Sequence, residues 1–300
     1  MLHGIARRRR ELSEVKPKGV ALVIGSGGVK CAASIGLQRC LDQENIPIDL
    51  VVGCSAGAIY AAAIALGQDS ASAATMTKAL WTREVTAAPD RGALARLVLP
   101  KMLGFTERFG LKKDTLINAR FAEAFGDKTF ADCKIPLFIT ATDFRTGEQV
   151  TISEGRIADA IRASVAVPFA FSPWEVNGRL CVDGFLSDPL PVGVAMREGG
   201  HIIIAMGFES PNQERITSGG RFAFQLSTIM TNNLLKASFA FHGLAHHGEV
   251  IPVIPKFSQR IRLFDTDKIP LLIDEGEAAM REELPYLRRL LTPAPATSPA

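Results

Sequence analysis

The sequence has few of the residues that mark secreted or metal-binding proteins. Among its 300 residues it has only five cysteines, Cys31, Cys40, Cys54, Cys133 and Cys181, with no CxxC pair and no Cys/His spacing typical of a metal site. An odd number of cysteines in apolar surroundings favours a reducing compartment. We therefore expect a cytoplasmic protein with buried free thiols and no metal centre.

Charge is also sparse, and it is unevenly placed. Charged residues make up 22% of the chain against 47% hydrophobic residues, and the net charge is +3. Residues 1–19 carry a net +4, which leaves about −1 for the remainder, so the folded body is not suited to bind nucleic acid. The run Arg7, Arg8, Arg9 and Arg10 is a candidate peripheral contact to anionic lipid at the inner membrane face. A solvated, frayed N-terminus is the simpler interpretation of the same run.

Long hydrophobic segments are almost absent. The stretch from Leu50 to Gln68 has no charge and is long enough to span a membrane, but it is rich in alanine and interrupted by GCSAG. A buried strand, a tight turn and a buried helix explain it better. No apolar segment follows the four arginines, so the pattern of a secretory signal is not met. We expect neither a transmembrane segment nor secretion.

Strand and helix patterns alternate through the first 67 residues. Short apolar runs at 19–25 and 48–53 are each followed by a glycine turn and a helical pattern, at 29–45 and 56–67. This alternation predicts an α/β fold with a mainly parallel sheet and helices on both faces, a three-layer α/β/α arrangement. Residues 68–128 are helix-prone and contain Pro89 and Pro100, which predicts a helical excursion.

The rest of the chain continues the pattern. Strands are predicted at 135–144 and 149–153, joined by the turn at Thr146-Gly147, and Asn177-Gly178 predicts a hairpin. Further strands are predicted at 201–208 and 250–255, and helices at 157–164, 221–242 and 274–291. We expect one domain over 18–291, a flexible basic N-terminus over 1–17 and a disordered proline-rich tail over 292–300.

The second glycine turn, Gly53-Cys54-Ser55-Ala56-Gly57, carries the first candidate for chemistry. A G-x-S-x-G between a buried strand and a helix forms a sharp elbow that exposes the serine Oγ. Gly53 and Gly57 are needed where a Cβ would clash with the turn or with a neighbouring strand. The helix that begins there favours negative charge close to Ser55.

The first glycine turn, Gly25-Ser26-Gly27-Gly28-Val29-Lys30, admits three interpretations. A dinucleotide site would need a third glycine where Lys30 stands, and a Walker loop would need a terminal GK[ST]. The third interpretation is a set of backbone N–H groups at a helix N-terminus that stabilises an oxyanion, with Lys30 adding positive charge. A structural salt bridge accounts for Lys30 almost equally well.

Two bases are available for a serine nucleophile. The order Ser55, Asp183 and one of His242, His246 or His247 matches that of an α/β-hydrolase triad. In that fold, however, the elbow usually follows more strands than it does here. The alternative is Asp183 itself, which ends a predicted strand in CVDGF. An ordinary turn aspartate is the competing interpretation of Asp183.

Four motifs together resemble the patatin-like phospholipase family. They are GSGGVK, GCSAG, the helix end ASVAVPFAF over residues 163–171, and VDGF over residues 182–185, and the likeness runs from about residue 18 to 291. The resemblance implies a lipid acyl hydrolase with a Ser–Asp dyad, in which Ser55 is the nucleophile and Asp183 the general base.

The same resemblance implies roles for the residues around the dyad. The N–H groups of Gly27 and Gly28, with Val29, would form the oxyanion hole, and Lys30, Ser164 and Pro168 would support the site. No cofactor and no metal are implied. The apolar segment 165–171 and the helical region 68–128 are the expected walls for an acyl chain.

The sequence departs from the family pattern at Ser26, Cys31 and Phe185, where glycine or another small residue is more common. These departures keep two alternatives open beside a phospholipase or esterase. One is a thioesterase or acyltransferase with the same dyad. The other is a catalytically weak lipid-binding or regulatory protein of the same fold.

Overall fold

The structure is a computed structural model. It describes residues 19–81, 92, 102, 104, 106–209, 216–217, 219–244, 248–259, 261 and 265–292. The N-terminus predicted over 1–17, including Arg7–Arg10, lies outside these residues, as does the tail after Thr292. The limits of the domain predicted over 18–291 therefore stay a prediction.

One eight-stranded sheet organises the chain. Its strands, in chain order, are β1 (Val20–Ile24), β2 (Leu50–Cys54), β3 (Leu137–Asp143), β4 (Gln149–Ile152), β5 (Trp174–Val176), β6 (Arg179–Asp183), β7 (Ile202–Met206) and β8 (Glu249–Val253). The spatial order is β5-β6-β3-β2-β1-β7-β8, and β4 pairs with β3. The run from β3 to β8 is parallel, and the pairs β3–β4, β3–β6 and β5–β6 are antiparallel.

Helices cover both faces of this sheet. In the described part of the chain they are α1 (Ala33–Gln43), α2 (Ala56–Ala65), α3 (Ser70–Leu80), α4 (Asp114–Phe125), α5 (Ile157–Ser164), α6 (Val192–Arg197), α7 (Gly219–Leu244) and α8 (Ile269–Leu291). Short 3-10 helices occupy Gly28–Ala32, Phe130–Asp132, Gly184–Leu186 and Thr266–Lys268. The predicted three-layer α/β/α arrangement with a mainly parallel sheet is confirmed.

The two faces have separate cores because successive strand residues point in opposite directions. In β1, Leu22 and Ile24 belong to the larger core, which contains α1, α2 and α8, whereas Ala21 and Val23 belong to the smaller one. The smaller core is closed by α6 and by Leu235 of α7. One face of the sheet is thus covered mainly by the short helix α6 and the long helix α7.

Both predicted antiparallel connections are present. Residues Ile139–Thr142 pair with Gln149–Ile152 across the turn at Thr146-Gly147. Trp174–Val176 pairs with Arg179–Cys181 across Asn177-Gly178, whose φ angles are 51° and 74°. Two positive φ values are what a tight two-residue hairpin turn requires.

Two predicted ranges need correction or completion. The last helix begins at Ile269 instead of 274, because Pro270 lies in its first turn, where a missing N–H costs no helical hydrogen bond. The helical excursion predicted over 68–128 contains α3 and α4, and residues 82–91, 93–101, 103 and 105 lie outside the described residues.

Candidate active site

Ser55 stands at a strained elbow between β2 and α2. Its backbone has φ 54° and ψ −132°, a conformation that non-glycine residues rarely adopt. The neighbouring glycines allow the turn to pack tightly. A Cβ on Gly53 would lie 2.5 Å from the Cα of Ala58, and one on Gly57 would lie 2.3 Å from the carbonyl oxygen of Ile24. The elbow therefore packs directly against the end of β1.

Asp183 reaches the same place from β6. Cys54 pairs with Thr140 and Asp183 pairs with Ala141, so the ends of β2 and β6 meet at successive residues of β3. The Ser55 Oγ donates a hydrogen bond of 2.7 Å to the Asp183 Oδ2, and both residues are buried. The structure thus brings together the two side chains that the resemblance pairs.

Burial makes the Asp183 carboxyl a weaker acid than a surface aspartate. Desolvation raises its pKa to about 7, against the opposing hydrogen bonds from the Phe185 N–H and the Ser55 hydroxyl. A carboxyl with a pKa near 7 is suited to take and return a proton at neutral pH.

Ser164 holds the elbow in place from the end of α5. Its Oγ accepts a hydrogen bond of 2.7 Å from the Ser55 N–H and donates one of 2.7 Å to the Thr140 carbonyl. Ser164 is fully buried, so its hydroxyl links the elbow to β3 away from water. Thr142 supports the other half, since its Oγ1 donates to the Asp183 carbonyl at 2.9 Å.

The glycine-rich loop presents backbone donors beside the elbow. Gly28 has φ 59°, and Gly27 packs so closely on Phe208 that a Cβ there would lie 2.6 Å from the ring. Within the described residues, no backbone or side-chain acceptor receives the N–H groups of Gly27, Gly28 or Val29. Three successive N–H groups at the start of a helix form a site suited to an anionic oxygen.

The residues that depart from the family pattern lie at this loop, as Ser26 and Cys31 do, or in the short 3-10 helix that follows Asp183, as Phe185 does. The Ser26 N–H donates to the Pro189 carbonyl at 2.8 Å. The Cys31 thiol is buried and donates to the Gly25 carbonyl at 3.3 Å, and burial raises its pKa. The Phe185 N–H donates to the Asp183 Oδ1 at 3.1 Å. Each of the three residues therefore makes a contact that stabilises the site.

Lys30 is buried at the same loop, so it is not an ordinary surface lysine. Its Nζ donates to the Glu209 carbonyl at 2.8 Å, and desolvation lowers its pKa to about 8. Both Lys30 and Gly27 contact the segment that follows β7, so this segment helps to fix the position of the loop.

Pro168 lies in a turn that borders Asp183. The Ala170 and Phe171 N–H groups donate to the Val167 carbonyl, and the Asp183 N–H donates to the Ala166 carbonyl at 3.1 Å. Phe169 in this turn has φ 65° and is exposed, which places a strained apolar side chain at the surface.

A buried cation fixes that turn to α4. The Arg162 guanidinium forms an ion pair of 2.6 Å with Asp114 and donates to the Asn118 Oδ1 and the Ser172 carbonyl. It also lies 5.0 Å from the ring centre of Trp174. Because Arg162 is 2% exposed, these partners are necessary to keep its charge buried.

The remaining sequence candidates are placed as follows. His246, His247 and the side chain of His242 lie outside the described residues, and His201 is exposed at the start of β7. In the part of the chain that the structure describes, no group of three or more His, Cys, Asp or Glu side chains is arranged to hold a metal ion. In that same part, no helix has the length and apolar character needed to cross a membrane.

Several supporting residues are not identified by the sequence analysis. Thr140 and Thr142 alternate in β3 with buried apolar residues, and Phe208 is the second residue after β7. Two threonines spaced two residues apart in an apolar strand pattern are the one sequence signal that β3 supports the site. Hydroxyls that such a strand buries need polar partners.

Comparison with known proteins agrees with this architecture. The family model described as Patatin-like phospholipase matches residues 22–196, which include both glycine turns, Ser164 and Asp183. The chain therefore belongs to the patatin-like phospholipase family.

Curated relatives are considerably longer than the matched segment. An uncharacterized NTE family protein of Mycobacterium tuberculosis is 31% identical over 173 residues, which cover 58% of this chain and 44% of that protein. Patatin-like phospholipase domain-containing protein 7 of Rattus norvegicus is 27% identical over 203 residues, which cover 67% of this chain and 14% of that protein. The chain thus spans less than half the length of these relatives.

Two solved structures are similar in chain path. VipD from Legionella pneumophila aligns with 90% of this chain and 67% of its own, at 13% identity and a TM-score of 0.49. The type III effector protein ExoU aligns with 92% of this chain and 54% of its own, at 16% identity and a TM-score of 0.46.

Proposed function

We propose that the protein is a serine lipid acyl hydrolase of the phospholipase A, lysophospholipase or esterase type. The observation that carries the proposal is the direct 2.7 Å hydrogen bond from the Ser55 Oγ to the Asp183 Oδ2. In a Ser-His-Asp triad a histidine stands between the serine and the carboxylate. Here the carboxylate contacts the serine itself and occupies the position of the base.

In the proposed acylation step, Asp183 removes the hydroxyl proton as the Ser55 Oγ attacks the carbonyl carbon of an acyl ester. The carbonyl oxygen becomes an oxyanion, which the N–H groups of Gly27, Gly28 and Val29 stabilise. One donor of this kind typically contributes about 3–4 kcal/mol to stabilisation of the transition state. The N-terminus of α2 adds a favourable dipole below the nucleophile.

The tetrahedral intermediate then collapses and its C–O bond to the leaving group breaks. The protonated Asp183 gives its proton to the departing alkoxide, which leaves an acyl-Ser55 ester and an ionised carboxylate. A water molecule next attacks the acyl carbonyl and loses a proton to Asp183. Asp183 returns that proton to the Ser55 Oγ, and a free fatty acid is released.

Apolar side chains beside the dyad suit an acyl substituent. Leu186 lies three residues after Asp183 and is 38% exposed, and Phe169 is 58% exposed in the turn next to Ala166. Ala166 is tied to Asp183 through its carbonyl. A ligand that covered both side chains would remove apolar surface from water close to the nucleophile.

The remaining alternatives differ in what happens after Ser55 is acylated or in whether acylation occurs. A thioesterase would prefer acyl thioesters, and an acyltransferase would pass the acyl group to an alcohol in place of water. A binding protein would acquire no acyl group. The contacts of Ser26 and Cys31 support an intact oxyanion loop and so favour the hydrolase.

The test is turnover of a matched panel of acyl esters and acyl thioesters by the wild-type protein and variants. We expect ester hydrolysis to fall about a thousandfold or more in Ser55→Ala and to a similar degree in Asp183→Asn. His246→Ala and His247→Ala serve as controls and should hydrolyse normally. Activity that survives Asp183→Asn but is lost in either histidine variant would instead establish a triad.

A further inference from the structure

Helix α7 has an unusual surface for the outer element of a folded domain. Among the side chains of α7 that the structure describes, six large apolar ones are exposed, and two of them, Met230 and Phe241, are exposed by more than 60%. The six, called here the outer stripe, are Phe222, Leu226, Ile229, Met230, Leu234 and Phe241. At about 100° per residue, these six positions fall within an arc of about 140°, which places them on one side of the helix.

The opposite side of α7 is already used. Thr228 and Leu235 are buried, and Leu235 lies against Gly207, where a Cβ would be 3.2 Å from its Cδ1. The Ser238 hydroxyl donates to the Leu190 carbonyl at 3.5 Å. Packing of α7 on the sheet therefore accounts for its inner side, and the outer stripe faces away from the sheet.

The inner side of α7 lies against the segment that follows β7. Gly207 directly follows β7, and the Gly25 N–H at the start of the glycine-rich loop donates to the Met206 carbonyl. Gly27 of the same loop packs on Phe208. The inner side of α7 and the glycine-rich loop thus contact the same residues after β7, which places the helix and the loop at one end of the sheet.

The charge on α7 indicates what kind of surface this is. Its 26 residues include Arg221 and Lys236 but no aspartate or glutamate. Lys236 is exposed, and its position on the helical wheel lies at the edge of the outer stripe. An apolar stripe about 29 Å long with a basic edge and no acidic residue complements the hydrocarbon boundary and the phosphates of an anionic lipid surface.

We propose that α7 is an interfacial helix that docks the protein on anionic phospholipid membranes through the outer stripe. The helix lies in the plane of the interface and does not cross it, in agreement with the absence of any spanning helix from the described residues. This proposal rests on the proposed lipid acyl hydrolase function, because it delivers the dyad to a membrane substrate.

The experiment measures flotation of the full chain with two kinds of vesicle, phosphatidylcholine alone and an equal mixture of phosphatidylcholine and phosphatidylglycerol. The test variant is the triple substitution Phe222→Ser, Met230→Ser and Phe241→Ser. Leu291→Ser is the matched control, because Leu291 is an exposed leucine at the end of α8. Lys236→Glu tests the basic edge.

We expect the wild-type protein and Leu291→Ser to bind the anionic vesicles, and the triple variant to bind roughly tenfold or more weakly. Lys236→Glu should weaken binding to the anionic vesicles about fivefold and leave binding to phosphatidylcholine unchanged. Hydrolysis of a water-soluble short-chain ester should be the same in all four proteins, which shows that the substitutions spare the fold and the dyad. If the triple variant fails to fold, Met230→Gln replaces it, with a smaller loss of binding expected.

Two results would overturn the proposal. One is vesicle binding that the triple variant retains at the wild-type level. The other is a wild-type dimer in sedimentation that the triple variant converts to a monomer without any change in vesicle binding, which would assign the outer stripe to a second copy of the chain. Normal vesicle binding without ester hydrolysis in any variant would leave the docking helix standing and reject the proposed function.

Discussion

The acid-base properties of the candidate site follow from the position of Asp183. Its carboxyl is fully buried at the end of β6 and accepts only two hydrogen bonds, from the Ser55 hydroxyl and the Phe185 N–H. No cationic side chain appears among the groups that shift its pKa, and desolvation therefore prevails and raises the pKa to about 7. The base of the proposed reaction thus changes its protonation state close to neutral pH.

The first prediction concerns pH. Because only the ionised Asp183 can accept the Ser55 proton, kcat/KM for a soluble ester should fall about tenfold per pH unit below about 7 and level off above it. A pH-rate profile measures this, with His201→Ala as the control for an exposed imidazole. A profile that stays flat down to pH 5 in the wild-type protein would contradict the assignment of Asp183 as the base.

The second prediction concerns the pH dependence of stability and follows from the same carboxyl group. Its folded pKa is raised above the ordinary aspartate value of 3.8, so the folded protein binds more protons than the unfolded chain between about pH 4 and 7. The contribution of Asp183 to the free energy of unfolding is therefore full at low pH and is lost as the pH rises through about 7. Denaturant unfolding should show Asp183→Asn gaining stability relative to wild type from pH 5 to pH 8. A constant difference across that range would contradict the prediction.

A third prediction concerns Ser164, whose hydroxyl bridges the Ser55 N–H and the Thr140 carbonyl. Ser164→Ala removes both hydrogen bonds and deprives the buried Ser55 N–H of this acceptor, and we expect the free energy of unfolding to fall by about 1–3 kcal/mol. Loss of the bridge should also loosen the elbow, so kcat should fall roughly tenfold with little change in KM. Ser153→Ala, at an exposed serine, is the control, and an unchanged kcat would show that Ser164 has only a structural role.

Individual residues differ in how far the sequence predicts them. Ser55 and Asp183 stand out because glycines flank them in G-x-S-x-G and D-G patterns, which indicate tight backbone packing. Thr140, Thr142 and Arg162 carry no such local mark. Their roles depend on contacts with partners 24, 41 and 48 residues away, which no short pattern encodes.

At the scale of secondary-structure elements, the candidate site is a product of strand register. β2 and β6 both pair with β3, and their last residues fall opposite Thr140 and Ala141. The β-branched runs and the glycine turns predict the strands themselves, including both hairpins. The register cannot be predicted from those runs, because every buried strand has equally apolar neighbours on both sides.

The contact between α1 and α8 leads to the fourth prediction. A Cβ on Gly276 would lie 1.9 Å from the Ala33 carbonyl oxygen, and one on Gly36 would lie 1.8 Å from the Ile273 carbonyl oxygen. Gly276→Ala should therefore force the helices apart and lower the free energy of unfolding by about 2 kcal/mol or more. Helix propensity alone predicts the opposite sign, a gain of about 1 kcal/mol.

Thermal or denaturant unfolding distinguishes these signs. Glu282→Ala, at an exposed position of the same helix, is the control and should change stability little. An increase in stability for Gly276→Ala would mean that α1 and α8 do not approach as closely as the structure places them.

At the scale of the whole molecule, the two faces of the sheet serve different purposes. The larger core, with α1, α2 and α8, supplies most of the buried apolar surface and fixes the strands that carry Ser55 and the glycine-rich loop. The other face is closed by α6 and α7, and α7 turns its outer stripe to the surroundings. We propose that the face with the larger core stabilises the fold and that the face with α7 contacts the membrane. The dyad lies at the strand ends between the two faces.

The central claim is that Ser55 is a nucleophile activated directly by Asp183. Mass spectrometry of peptides after incubation with a fluorophosphonate probe tests it most directly. We predict one covalent adduct on Ser55 in the wild-type protein, none in Ser55→Ala, and labelling at least about a hundredfold slower in Asp183→Asn. An adduct on another residue while Ser55 stays unmodified, or labelling of Asp183→Asn at the wild-type rate, would contradict the claim.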